Sequence, residues 1–326
     1  MPDLRVAVDA GGTFTDVCIY NASTQAFRVT KVPSTPNNPM QAVINGVKRG
    51  EIELSNVDLF FHGTTVATNA LITRRFPKAS LVTTKGFRDV IEIRDGTKDN
   101  LWDAYADVSG PYIRRRDRFE VTERVDYAGE IVTPLDEDEA RALARKLKRR
   151  GTTTIAVCFM NSYANAKNEQ RMREILEEEL PEANVSTSSE ILPEIFEHDR
   201  FNTAVANTVL GPLVSDYVKQ LDDELSAGGY ANDLLLLHSG GGSMTPAMAK
   251  HFPVRLAASG IAAGAIAAKH IAEQCGYQNA VGLDMGGTST DISLIHDGEL
   301  RVTKQWGVEY GHPIVFPSIE VLPIGA

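Results

Sequence analysis

The chain opens with two short runs of alternating character, Leu4-Arg5-Val6-Ala7-Val8 and Val17-Cys18-Ile19-Tyr20. A period of two predicts strands with one buried face. Between them stands DAGGTFTD, residues 9–16, so the pair is predicted to form a β-hairpin with glycines at its tip. The pattern returns far downstream: AVGL leads into DMGGTSTD, residues 284–291, and ISLI follows. The two octapeptides are identical at six of eight positions. A repeat so widely spaced predicts two similar domains facing one another and not a short-period solenoid.

Between the copies, strand-like and helix-like segments alternate. Val29–Val32 reads as a strand, Gln41–Arg49 as a helix, Leu59–Phe61 as a strand and Val66 to Arg75 as a helix. Ala79–Thr83 is a further strand, whereas residues 94–132 lack helical periodicity and read as an insertion of short strands and loops. Asp136 to Arg150 is amphipathic, with acids early and bases late as the helix dipole favours. Then come strand Thr154–Phe159, helix Ala166–Glu179 ending before Pro181, and strand Val185–Ser188. Asn202–Leu225 is helical with an expected break at Gly211-Pro212, and Leu234–His238 is an apolar strand. Ala257–Gln274 is a helix of small residues, able to pack very closely against a neighbour. The class is α/β.

Composition narrows the partners. The 326 residues are 43% hydrophobic and 23% charged, values of a folded, soluble protein. A net charge of −10 argues against nucleic acid, and the run Arg114-Arg115-Arg116 stands among acids as a paired surface. The three cysteines have no metal-like or redox spacing, which fits a cytoplasmic location, and Cys18 is expected to be buried and inert. No cationic leader precedes Leu4, and the small-apolar stretch Leu256–Ala268 is too short to span a bilayer, so no membrane role is expected.

The repeats carry the chemistry. A glycine pair lets backbone N–H groups approach an anion, and threonine hydroxyls add donors. An aspartate beside such a nest repels phosphate unless a divalent cation intervenes. Asp9 with Gly11, Gly12, Thr13, Thr15 and Asp16, and Asp284 with Gly286, Gly287, Thr288, Thr290 and Asp291, therefore point to polyphosphate with Mg²⁺ (or Mn²⁺). Asp9 and Asp284 are expected to face one another across a cleft and to hold the ion through water. The bland alternative is a pair of tight hairpins.

At these residues the sequence resembles a known superfamily. The hairpins are similar to the two phosphate loops of the actin-like (ribonuclease H-like) ATPases, and Ala257–Gln274 to their first connecting helix. With FHGTTVATNAL, LVTTKGFRDVIEI, SSEILPEIFEHDR and LDMGGTSTDISLI, the chain resembles the hydantoinase A / 5-oxoprolinase family, which includes ketone carboxylase subunits. The resemblance implies a first lobe in 1–197, its helical and βα continuation in 198–278, and the start of a second lobe in 279–326. It implies ATP as cofactor and a small carbonyl or cyclic-amide substrate whose oxygen is phosphorylated, followed by hydrolysis or carboxylation. Also implied are a hydantoinase B-type partner and a C-terminal half beyond residue 326, without which this stretch is expected to bind ATP weakly. A non-catalytic nucleotide-sensing role stays open. Two departures, Ser259-Gly260-Ile261 for the family's Ser-Gly-Pro and Ser239-Gly240-Gly241-Gly242 for Ser-Asn-Gly-Gly, leave the substrate open.

Other candidates follow from position. His62 ends a strand before Gly63-Thr64-Thr65 and is a candidate catalytic group; Thr64, Thr65, His238 and Gly241 are candidate substrate contacts. Thr64, Thr65 and Asn69 equally suit capping of the helix from Val66. Lys85 and Arg88 read as surface pairs. Glu194 and His198, four apart on one expected helix, are compatible with a metal site or with a salt-bridged face.

Overall fold

The computed structural model describes residues 4–35, 38–96, 98–106, 108–286 and 289–325. The chain forms two compact units: one from the residues up to Asn69, Val214–Lys304 and 317 onward, the other from Ala70–Leu213 and Gln305–Phe316.

The first unit is built on a six-stranded sheet. Its order is Ser243–Met244, Leu234–Leu237, Val57–Thr64, Leu4–Ala10, Phe14–Asn21 and Ala26–Pro33. The last three strands form an antiparallel meander, while Leu4–Ala10, Val57–Thr64 and Leu234–Leu237 run parallel. This mixed order is that of the actin-like, ribonuclease H-like α/β fold. Alternation in the sequence places Val6, Val8, Val17 and Ile19 in the core. Helix Pro39–Arg49 packs on the strands close to Gly46, where a Cβ would stand 2.5 Å from the Val17 Cγ2. Cys18 is half-buried rather than buried, because it lies on the opposite face of its strand from Val17 and Ile19. Burial, with Asp16 and Asp9, nevertheless raises the pKa of its thiol.

The repeat also forms a second hairpin, Ala280–Met285 with Ser289–His296, extended by Glu299–Leu300 and Val321–Gly325. Helix Ser259–Gln274 packs against this hairpin and against strand Val57–Thr64.

The second unit holds an all-parallel sheet in the order Asn184–Thr187, Thr154–Cys158, Ser80–Thr84 and Arg118–Val121. Its edge strand, Arg118–Val121, comes from the stretch read as an insertion, so part of that stretch belongs to the scaffold. Helices Glu137–Arg149 and Lys167–Glu179 cover a core that includes Val82, Leu147, Ile155, Phe159, Met172 and Ile175. The first is capped by Asp136, whose carboxylate accepts from the Glu139 N–H at 3.0 Å.

Glu197–Ala227 is one continuous helix with Pro212 inside it, so the expected break does not occur. An internal proline costs about 3 kcal/mol. Burial offsets this, since Val205, Ala206, Val209 and Leu210 are all fully covered. Among the described residues no helix is long and apolar enough to cross a membrane.

Candidate active site

The two hairpins preserve the repeat in three dimensions. Asp9 pairs across its hairpin with Asp16, and Asp284 pairs across its own with Asp291. Each octapeptide thus begins and ends on facing carboxylates. Thr15 and Thr290, also equivalent, are both buried.

Close approach of glycines fixes where the carboxylates lie. Asp9 stands beside Gly63 in the neighbouring parallel strand, where a Cβ would come within 2.7 Å of its Oδ1. From the other side, a Cβ on Gly260 would lie 3.2 Å from the same oxygen. One turn further along the helix, a Cβ on Gly264 would lie 3.5 Å from the Asp284 Oδ2. Residues four apart share a helix face. One glycine-lined face of Ser259–Gln274 therefore carries both aspartates, at successive turns. A cavity of about 150 Å³ opens there, lined by Gly264, Ala268, Gly282, Asp284 and Asp291 among others.

The electrostatics at the two hairpins are negative and uncompensated among the described residues. Asp9 keeps some accessible surface, yet protein surrounds it on most sides. Burial first, then Asp16 and Asp284, push its carboxyl above the usual range, with Lys31 opposing. Asp291 is raised by burial and by Asp284, and its buried Oδ1 has no hydrogen-bond partner among the described residues. Lys31 is committed to Asp16 at 3.0 Å, and no described ion pair neutralises Asp9, Asp284 or Asp291. Three uncompensated carboxylates and an orphaned buried oxygen fit a hard divalent cation.

The first loop offers fewer donors than its composition suggests. The Gly11 N–H is taken by the Phe14 carbonyl at 3.1 Å. The Thr15 hydroxyl is buried against Ser34 Oγ at 3.0 Å, and Ser34 donates in turn to the Gly11 carbonyl at 2.7 Å. Thr15 therefore braces the loop, with its hydroxyl engaged by Ser34. Gly12 and Thr13 are exposed at the tip, and their amides have no partner among the described residues. In the second loop Gly286 is exposed and Thr290 buried, whereas Gly287 and Thr288 lie outside the described residues.

His62 does not stand over a cleft. It is fully buried, with Nδ1 3.1 Å from the Val8 carbonyl and Nε2 2.6 Å from the Tyr217 hydroxyl. A carbonyl only accepts, so Nδ1 carries the proton and Nε2 accepts from Tyr217. Burial holds its pKa down at about 4. It is a neutral, fully buried group bracing the strand that carries Asp9.

The candidate substrate contacts are also largely structural. Thr64 is buried and its Oγ1 accepts from the Val66 N–H at 3.2 Å, where the chain enters the helix. Thr65 donates to the Ala10 carbonyl at 3.2 Å and accepts from Asn69. His238 Nδ1 accepts from the Gly240 N–H at 3.0 Å, and its ring underlies Gly242, so it organises the glycine loop. Gly241 has φ of +85°, and a side chain there would strike Ile319 and Ile266. Lys85 and Arg88 meet Thr122 and Glu120, as surface pairs. Glu194 and His198 do not share a helix face: the helix begins at Glu197, after Phe196 at φ +78°. Arg200 is fully buried and pairs with Glu197 at 2.9 Å.

Sequence reasoning missed Gly63, Gly260, Gly264 and Tyr217. Gly260 and Gly264 had a signal, since small residues four apart in a helix mark close approach, whereas Gly63, in a strand, had none. Tyr217 had none.

Comparisons place this geometry among known proteins. Residues 5–180 match the hydantoinase/oxoprolinase N-terminal region and residues 200–326 match hydantoinase/oxoprolinase. An uncharacterised protein of Methanocaldococcus jannaschii is 36% identical, over 99% of this chain and 49% of its own length. The acetophenone carboxylase gamma subunit of Aromatoleum aromaticum is 32% identical, over 91% of this chain and 43% of its own. The crystal structure of ATP-dependent caprolactamase from Pseudomonas jessenii matches with a TM-score of 0.90 at 30% identity, over 99% of this chain and 48% of that one. The chain thus spans about half the length of the relatives it matches.

Proposed function

The chain belongs to the hydantoinase/oxoprolinase family, and from that premise we propose that it supplies the phosphate-gripping part of an ATP-dependent cyclic-amide hydrolase. The observation that carries this reading is the pair Asp9 and Asp284 on one glycine face of helix Ser259–Gln274, with the Asp291 oxygen unpartnered beside them.

In this reading the Gly12 and Thr13 amides donate to phosphate oxygens of ATP, as do groups of the second loop. Asp9 and Asp284 hold Mg²⁺ through its water ligands, and Mn²⁺ suits the same donors. Bound there, such an ion would supply charge neutralisation for the phosphates. Asp16 stays paired with Lys31 and shapes the field at Asp9. His62, through Val8, keeps the Asp9 strand in place. Phosphoryl transfer asks mostly for positioning and charge neutralisation, which accords with the lack of a nucleophile–base pair among the described residues. Amide resonance makes the substrate carbonyl a poor electrophile; phosphorylating its oxygen creates a leaving group and opens the carbon to water.

The adenine pocket and the rest of the second lobe belong, in this proposal, to the further half that the relatives possess, and a hydantoinase B-type subunit completes the enzyme. A ketone carboxylase is the second reading, favoured by the 32% identity to the acetophenone carboxylase gamma subunit. The test is ATP hydrolysis by the complete enzyme, purified with its native partners, against hydantoins, oxoproline and simple ketones, with and without bicarbonate. Stimulation by a cyclic amide without bicarbonate supports the hydrolase. A strict bicarbonate requirement moves the assignment to the carboxylase, and no stimulation by any substrate overturns both. Asp284→Asn is expected to cut the stimulated rate at least about 100-fold with the fold intact.

A further inference from the structure

We propose that Asp95, His198 and Asp199, in the second unit, form a separate cation site that takes a divalent transition-metal ion such as Zn²⁺. Their ligand atoms lie within 4.8 Å of one another. Such a cluster alone would mean little, since acidic groups commonly gather without an ion. His198 supplies the independent sign. It is only 6% exposed, and its Nδ1 has no hydrogen-bond partner among the described residues. The other ring nitrogen, Nε2, lies 3.2 Å from the Gly311 carbonyl. Because a carbonyl accepts only, Nε2 carries the proton and Nδ1 presents a lone pair. A metal-binding histidine is typically held this way, its second nitrogen donating to a carbonyl that fixes tautomer and ring orientation.

The surroundings favour a bound cation. Neither carboxylate is ion-paired among the described residues. Arg94 packs its guanidinium onto Gly311 and offsets one of the two negative charges, leaving a net negative site. An imidazole nitrogen with two carboxylates selects Zn²⁺-like ions over Mg²⁺ or Ca²⁺, which prefer oxygen alone. Zn–ligand bonds of about 2.1 Å require the donors to draw closer than they now stand. Asp95 can supply that movement, because it is exposed on the turn that follows helix Val90–Ile93. Three protein ligands leave a coordination position for water. In this arrangement the ion clips the turn at Asp95 to the first turn of helix Glu197–Ala227, within the same unit.

The test uses the complete enzyme, stripped with chelator, in an Asp9→Asn/Asp284→Asn background that disables the other candidate cation site. Calorimetric titration with Zn²⁺ is expected to show one site of micromolar or tighter affinity. Asp95→Asn and Asp199→Asn should each weaken it at least about 10-fold, with unchanged circular dichroism. Asp95→Asn decides the matter if a His198 variant fails to fold, since Asp95 is exposed. Absence of stoichiometric binding, or binding unaltered by both aspartate substitutions, would overturn the site.

Discussion

Substituting Gly63 by alanine probes the proposed active site through a single methyl group. The backbone at Gly63 is not in the left-handed region, so alanine meets no conformational penalty there. The obstacle is the Asp9 carboxylate, whose Oδ1 would stand 2.7 Å from the new Cβ, with the Leu237 Cδ1 at 3.6 Å behind it. Ordinary contact begins near 3.4 Å, so the carboxylate must retreat by about 0.7 Å. Gly260 also borders this oxygen, since a Cβ built there would stand 3.2 Å from it. A displacement approaching 1 Å at a positioned group costs on the order of 100-fold in rate, and 10- to 100-fold is expected here. Overpacking should cost about 1 kcal/mol of stability, the low end of the usual range, since Asp9 retains access to solvent. Two helix glycines provide internal controls. Gly260→Ala, at 3.2 Å from Asp9, should lower activity only several-fold. Gly264→Ala, at 3.5 Å from the Asp284 Oδ2, should leave it within about threefold and gain up to about 1 kcal/mol from helix propensity. The assay is substrate-stimulated ATP hydrolysis by the complete enzyme alongside thermal melts. A folded Gly63→Ala enzyme with wild-type turnover would refute the placement of Asp9 in the machinery, as would an activity order that ignores the three distances.

Asp9→Asn should raise the melting temperature at pH 7 while lowering activity. The folded-state pKa of Asp9 is raised, so its ionisation weakens the fold as pH climbs past the ordinary carboxylate value, and that loss persists at neutral pH. The stabilisation should vanish near pH 3, where both states are protonated; equal gains at the two pH values would contradict it. His62 has the opposite consequence: with its pKa lowered to about 4, the unfolded state takes up the proton first on acidification. Stability should fall by about 3 kcal/mol between pH 6.5 and 4 from this group, and urea unfolding of His62→Gln should show a correspondingly shallower decline even if its neutral-pH stability is lower. Tyr217→Phe removes the hydroxyl that Nε2 accepts from and should cost about 1–3 kcal/mol, read as a shift in the urea midpoint, with KM for ATP unchanged.

By itself the sequence determined the strands and helices, their α/β alternation and the doubled hairpin. Those features are written in local periodicity and in the glycines and acids of two octapeptides, and neither needs long-range information. The pairing Asp9 with Asp16 follows almost directly, because a hairpin's register depends on a short loop. The uninterrupted helix through Pro212 could not be read locally, since burial of its apolar residues outweighs what proline costs. Nor could the roles of His62, Thr64 and Thr15: a polar residue at a strand end looks the same in sequence whether it faces a cleft or a buried partner. The partners that settle the matter, Val8 and Tyr217 for His62 or Ser34 for Thr15, lie 19 to 155 positions away. Likewise only tertiary packing brings Gly63, Gly260 and Gly264 against carboxylates from two different hairpins. Sequence decides which groups are available for chemistry, and packing decides which of them are left without a partner and so remain free to use it.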